Sequence, residues 1–289
     1  MNFIAYGFGA STLFWALAGL AGQVSPAVDL DAGSSPAVTI VKFELLDRHL
    51  IVLRGSIGRL EGLKLLIDTG SIPSVVDQRI AKKLTLHLEE SAFVAFGQKS
   101  RTHRAVLPNI RIGPLHVDDV TVGVGDLSYL HGVDAVIGLD VLYHSSFSVD
   151  YEGRRLLFGP LVARQPSVKL EVTPPFLTVQ LSLNGHPIRL LVDSGSGRLV
   201  LFERRVHDRL PPPALHGELV MYHGSGTSRL NRVFLPPLGV GGQNLEHVEA
   251  FISDASMEGY PAGIDGVLGL RVLASKRADF DFERNRLAF

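Results

Sequence analysis

Two aspartates stand out by what surrounds them. Asp68 follows Leu65-Leu66-Ile67 and precedes Thr69-Gly70-Ser71, and Asp193 follows Leu190-Leu191-Val192 and precedes Ser194-Gly195-Ser196. Three apolar residues running into an acid, a small hydroxyl residue and a glycine read as a buried strand that ends in a tight turn, with the acid at its exit. One such turn is ordinary loop chemistry. Two copies deliver two carboxylates, and two carboxylates held together cannot both ionise easily, so they share one proton. One oxygen then acts as general base on a water while the protonated partner polarises a carbonyl. Thr69 and Ser194 offer hydroxyls that can link the two loops. Gly70 and Gly195 let the backbone turn sharply and approach a substrate closely.

The rest of the chain is a frame for that pair, and the frame is written twice. In the first half, strand patterns at His49 to Leu53 and Leu63 to Ile67 are separated by a turn around Gly55 to Gly62 and lead into Asp68. The spacing of Val75, Val76, Ile80 and Leu84 predicts a short helix over 74–84. A hairpin follows around Gly97-Gln98-Lys99-Ser100-Arg101, then further strands, then the apolar run Val133 to Leu142, and a closing hairpin over Glu152-Gly153-Arg154. Residues 159–175, with four prolines and little periodicity, read as a linker. Beyond it come a strand pair into Asp193, a helical segment at 201–210, a hairpin around 223–227, the apolar run Ile264 to Leu273, and the close Asp281-Phe282-Glu283-Arg284. Equivalent landmarks lie 125 residues apart at the aspartates, 128 after the hairpins and 131 at the closing hairpins. Colinear landmarks with slowly growing offsets mark a duplicated domain. Two halves packed about a pseudo-twofold axis bring anything near that axis against its own copy.

Asp68-Thr69-Gly70-Ser71 and Asp193-Ser194-Gly195-Ser196, with the later triplets Val136-Ile137-Gly138 and Val267-Leu268-Gly269, resemble the aspartic proteases of the pepsin and retropepsin kind. The compact halves are closer to the bacterial retropepsin-like group, and the resemblance spans residues 42 to 289. It implies a mainly β fold of two retropepsin-like barrel lobes with short helices, at 42–158 and 176–289, and a cleft between them. It further implies aspartic-type peptidase activity with Asp68 and Asp193 as the catalytic dyad. Thr69, Gly70, Ser194 and Gly195 would support the dyad, and the triplet strands would thread beneath the aspartate loops. The two hairpins would be flaps, placing Phe96 and Gly97 over the cleft from one lobe and Tyr222 and Gly224 from the other. A noncatalytic peptide-binding module of the same fold is the alternative. Two departures distinguish the halves: Ser196-Gly197-Arg198 is richer in glycine than its counterpart, and Arg271 stands where the first half has Asp140.

Composition narrows the function from the other side. Lys+Arg 28 against Asp+Glu 29 leaves a net charge of -1, without the basic surplus of a nucleic-acid partner. Cysteine is absent, and the 11 histidines show no metal-ligand spacing, so no metal and no cofactor are expected. Gly123-Val124-Gly125 and Gly239-Val240-Gly241-Gly242 lack the context of a phosphate loop. Arg204-Arg205 reads as a solvated helix face. The first 28 residues carry no charge, and residues 1–21 read as a signal peptide or membrane anchor, followed by a leader at 22–41. The expected protein is exported or anchored by that segment, acts on a peptide or protein, and works as a monomer whose single chain supplies both lobes.

Overall fold

The computed structural model describes residues 16–17, 38–95, 98–210, 216–223, 226–253, 260–274 and 276–289. Residues 22–37 of the leader and all of segment 1–21 except Ala16–Leu17, which pairs with Phe93 and Val94, lie outside the described residues. The end of the expected leader is not loose, since the strand Thr39–Leu46 begins inside it and pairs with Arg155–Phe158. No helix among the described residues is long and apolar enough to cross a membrane.

The chain is mainly β, and its two halves repeat one wiring. In the first, Leu60–Ile67 carries Asp68 at its end and pairs in parallel with the triplet strand Ala135–Ile137. The triplet strand lies between it and Val75–Asp77, to which it is antiparallel. Val75–Asp77 then runs parallel to Leu115–Gly125. In the second half His186–Asp193 pairs in parallel with Gly266–Gly269, which is antiparallel to Leu199–Phe202, itself parallel to Glu249–Ser253. Each triplet strand thus threads between the two arms of an aspartate loop, as the resemblance implied. Leu65, Leu66 and Ile67, like Leu190, Leu191 and Val192, are fully buried on both faces, which is why these runs are continuously apolar rather than alternating.

The halves also share a third sheet. Its order is Thr39–Leu46, Arg155–Phe158, Phe147–Asp150, Arg277–Asp281, Arg286–Ala288, Ser167–Thr173, three strands from each half. At its centre Phe147 faces Phe280, Val149 faces Ala278, and Ser148 faces Asp279, its own equivalent 131 residues on. The pseudo-twofold axis therefore passes through the Ser148–Asp279 pair. Ser148 Oγ donates to Asp279 Oδ1, Arg277 Nε donates to the same oxygen at 2.6 Å, and Arg277 Nη2 donates to Ser148 Oγ at 2.8 Å. Phe147 stacks on Phe280 at 4.8 Å beside this polar knot, so the lobes are joined by apolar and charged contacts together. Removing the acid strands a guanidinium and a hydroxyl in the middle of the sheet. Asp279→Ala is expected to lower stability by about 2–3 kcal/mol, whereas Arg164→Ala, whose exposed guanidinium lies 3.4 Å from the other Asp279 oxygen, stays within about 0.5 kcal/mol. Thermal melts of the two variants check this.

Several local expectations change. Val75–Asp77 is a strand, and the helix is confined to Gln78–Lys83, because Val75 and Val76 are the β-branched arm beside the triplet. In the second half Leu199–Phe202 is likewise a strand, followed only by Glu203–Val206 and a 3-10 turn. The turn expected over 55–62 shrinks to its tip, since the strands run Leu50–Ile57 and Leu60–Ile67. Gly55 sits inside the first at a register shift, where an added Cβ would lie 2.6 Å from the Arg111 carbonyl. The proline-rich stretch 159–175 contains the strand Ser167–Thr173, with Val168 buried in the shared sheet and Leu170 buried where the strand passes to pair with Phe176–Leu183.

Candidate active site

The two aspartate loops meet at the axis and clasp each other. Thr69 Oγ1 donates to the Val192 carbonyl at 2.9 Å, and Ser194 Oγ donates to the Ile67 carbonyl at 3.0 Å. The backbone N–H of Thr69 donates to Ser194 Oγ and that of Ser194 to Thr69 Oγ1, each at 3.0 Å. Every bond has its symmetric counterpart and all are buried, so each is worth about 1 kcal/mol net while the unmet alternative costs more. The hydroxyl link expected from Thr69 and Ser194 is what the structure holds there.

Asp68 and Asp193 are both 0 % exposed. Gly70 N–H donates to Asp68 Oδ1 at 2.9 Å and Gly195 N–H to Asp193 Oδ1 at 2.7 Å. Among the described residues neither Oδ2 receives a hydrogen bond from another donor, and the two carboxyl groups interact with each other. Burial lifts Asp68 from 3.8 to about 6, against the lowering effect of its hydrogen bonds. Burial and then the neighbouring Asp68 charge lift Asp193 well above the ordinary range. One proton between the two acids satisfies both orphaned oxygens and halves the buried charge.

The glycines serve the dyad more directly than turn chemistry suggests. A Cβ on Gly70 would lie 2.6 Å from the carboxyl carbon of Asp193, and one on Gly195 would lie 2.7 Å from that of Asp68. Each glycine is the floor for the other lobe's acid. Gly138, in the first triplet, would drive a Cβ into the Ser71 carbonyl, and Gly269 would bring one within 2.6 Å of Ser196 O and Arg198 N.

The departures between halves acquire reasons. Asp140 accepts from Ser74 N–H at 2.8 Å and from Ser74 Oγ at 2.7 Å, while Ser74 Oγ accepts from Gly138 N–H at 2.8 Å, so it braces its own aspartate loop. Arg271 reaches instead across the lobes to stack over the Tyr151 ring at 4.4 Å. Gly197 is small because the His49 ring from the first half would meet its Cβ at 2.9 Å. Arg205 is no solvated face: it donates to the carbonyls of Tyr260, Pro261 and Ile264 and lies over Phe202. Sequence reasoning passed over Ser74 and His49 and misplaced Arg205, whose partners lie far along the chain. It also passed over the repeated Asp134 and Asp265, which accept from the Lys64 and Arg189 N–H groups and tie each aspartate strand to its triplet.

Phe96, Gly97 and Gly224 of the expected flaps lie outside the described residues. Tyr222 belongs to the strand Glu218–His223, opposite Thr227. Among the described residues no group of His, Asp and Glu side chains is arranged to hold a metal ion.

The aspartyl protease family matches the chain twice, over residues 54–141 and 179–272, each match spanning an aspartate loop and the triplet that threads it. No curated protein sequence matches. Among solved structures the chain is similar to a retropepsin-like aspartic protease from Rickettsia conorii, at 15% identity and a TM-score of 0.34 over 44% of this chain and 96% of that one. With the family's domain present in two copies that together take up most of its length, the chain belongs to the aspartyl protease family.

Proposed function

We propose that the chain is an aspartic-type endopeptidase in which Asp68 and Asp193 share one proton and activate a water against a peptide carbonyl. The observation that carries this reading is the reciprocal geometry of two buried acids, each bound by its own loop glycine and floored by the other's. A turn that merely used aspartate would leave it exposed or capped by several donors. Here each acid keeps one oxygen for its twin. The pair offers a base and an acid side by side, in a site where low solvation strengthens both roles. Cleavage of a mixed peptide library by the purified chain tests the reading, and a folded chain that binds peptides without cutting them would replace it with a binding module.

The pH dependence follows from the direction of the shifts. The working form is the singly protonated pair, so the rate rises as the first proton leaves and falls as the second leaves. Burial lifts Asp68 to about 6, and burial with the neighbouring Asp68 charge lifts Asp193 well above its ordinary value, which moves both limbs upward. The expected profile of kcat/KM is a bell whose rising limb lies near pH 6 rather than near the ordinary carboxylate value. A profile already at its maximum at about pH 4 would show an exposed dyad, and a monotonic rise through neutrality would point to another base.

A further inference from the structure

The duplication repeats one more phrase, which the dyad chemistry does not use. Tyr129-Leu130-His131-Gly132-Val133-Asp134 and Tyr260-Pro261-Ala262-Gly263-Ile264-Asp265 run without a gap into the two triplets. The glycines have a reason, since both have positive φ, +85° at Gly132 and +87° at Gly263. The aspartates have theirs in the strand ties. The tyrosines call for another.

Each phenol lies within the field of its own half's acid, Tyr129 near Asp68 and Tyr260 near Asp193. Their surroundings differ. Tyr260 is 7% exposed, packs on Phe202 at 4.8 Å and Phe176 at 6.3 Å, and has its turn held by Arg205. That aromatic shell fixes its ring. The positions equivalent to Phe176 and Phe202 in the first half are Leu50 and Asp77, neither of them aromatic. Asp77 instead accepts from Leu127 N–H at 2.9 Å and anchors the 3-10 turn Ser128–Leu130 that carries the tyrosine. Tyr129 is 37% exposed on that anchored turn, so filling the core does not account for it.

We propose that Tyr129 is a substrate-contacting residue of this site, its phenol hydroxyl donating a hydrogen bond to an acceptor of the peptide bound beside Asp68. The inference rests on the proteolytic reading above and adds a donor to it. Burial, then the charges of Asp68 and Asp126, raise the phenol above its ordinary range, so it remains a neutral donor wherever the dyad works. A neutral donor next to a carboxylate pair suits a peptide carbonyl, which brings an acceptor and no charge. Tyr260, enclosed by its aromatic neighbours, is the structural twin.

Steady-state kinetics of Tyr129→Phe, Tyr129→Ala and Tyr260→Phe against the wild-type chain test the proposal. Tyr129→Phe is expected to lose about tenfold in kcat/KM, the worth of one hydrogen bond in a desolvated site, with unchanged melting. Tyr260→Phe is expected to stay within about twofold. Wild-type kinetics in Tyr129→Phe, or a loss seen only in Tyr129→Ala, overturns the hydroxyl's role. A second readout is independent of turnover. Ultraviolet titration, taken as a difference against Tyr129→Phe, is expected to show the Tyr129 phenol ionising at lower pH in the Asp68→Asn background, because a nearby negative charge has been removed. An unmoved titration overturns the adjacency. A wild-type chain without turnover overturns the proteolytic reading and the substrate contact with it, while a shifted titration would still place the phenol beside Asp68.

Discussion

Asp68→Asn and Asp193→Asn are each expected to lower peptide cleavage by about 10³-fold or more, and each to make the folded chain more stable at neutral pH. The first effect follows from proton bookkeeping, because an amide can neither take a proton from water nor pass one to a leaving amine. The second follows from burial. Asp68 is lifted to about 6 in the fold against an ordinary value near 3.8, so the folded state holds its proton more tightly than the unfolded chain does. A group shifted in that direction contributes stability that is present below the unfolded value and is lost as pH rises through the folded one. For a fully buried acid the loss is of order 3 kcal/mol. Asparagine does not ionise, its Oδ1 can still accept from Gly70 N–H, and its Nδ2 can donate to the waiting Oδ2 of Asp193. The difference in melting temperature between variant and wild type is therefore expected to be small near pH 4 and to grow to several degrees by about pH 8. Mixing the two inactive variants is expected to restore nothing, since one chain supplies both acids to the site. A variant that cuts at near-normal rate removes its aspartate from the chemistry, a variant less stable than wild type at pH 8 contradicts the buried-proton account, and recovery on mixing would mean that sites form between chains.

What could be read before the structure was what the chain says twice. The aspartate loops, the triplets and the closing hairpins survive duplication almost unchanged, so comparing the halves separates them from ordinary turns. The same comparison could have found Tyr129 and Tyr260, which stand in ungapped register with the triplets. They were passed over because a single tyrosine in a loop carries no signal of its own. Features unique to one half were less legible. Ser74 braces Asp140 only in the first lobe, and Gly197 makes room for His49 only in the second, so neither had a twin to flag it. Short strands were lost to competing patterns: Val75 and Val76 with Ile80 and Leu84 fit a helical period, although the first two residues are an arm of the loop that the triplet threads. Val168 and Leu170 are only two inward positions, bracketed by Pro166 and Pro174, too few to reveal a strand that pairs at one end with the chain's last strand and at the other with the strand that follows it.

The second large effect is expected at the glycines. Gly70→Ala and Gly195→Ala should each lower kcat/KM by about 10²-fold or more while costing only about 1–3 kcal/mol of stability. Neither glycine has a positive φ, so the backbone itself would tolerate alanine. The obstacle is the opposite acid: the new methyl group would stand 2.6–2.9 Å from the carboxyl atoms of Asp193 in the first variant and 2.7–2.8 Å from those of Asp68 in the second. Something must move by several tenths of an ångström. The clasp of Thr69 and Ser194 holds both loops from beneath, so the carboxyl group is the freer part to give way. A shift of that size separates two acids that must share a proton, which costs far more in rate than in folding energy. The pH profile is expected to change as well. Gly70→Ala displaces the Asp193 carboxyl group, and because the two acids titrate as a pair it should shift both limbs of the pH profile. Gly195→Ala displaces the Asp68 carboxyl group and should shift both limbs as well. Gly239→Ala is a control, because its nearest neighbour would be Ser182 Cβ at 3.2 Å, far along the chain from either aspartate loop, and it should keep the wild-type profile. Near-normal cleavage by Gly70→Ala would mean that Asp193 does not work from the position it occupies above that glycine.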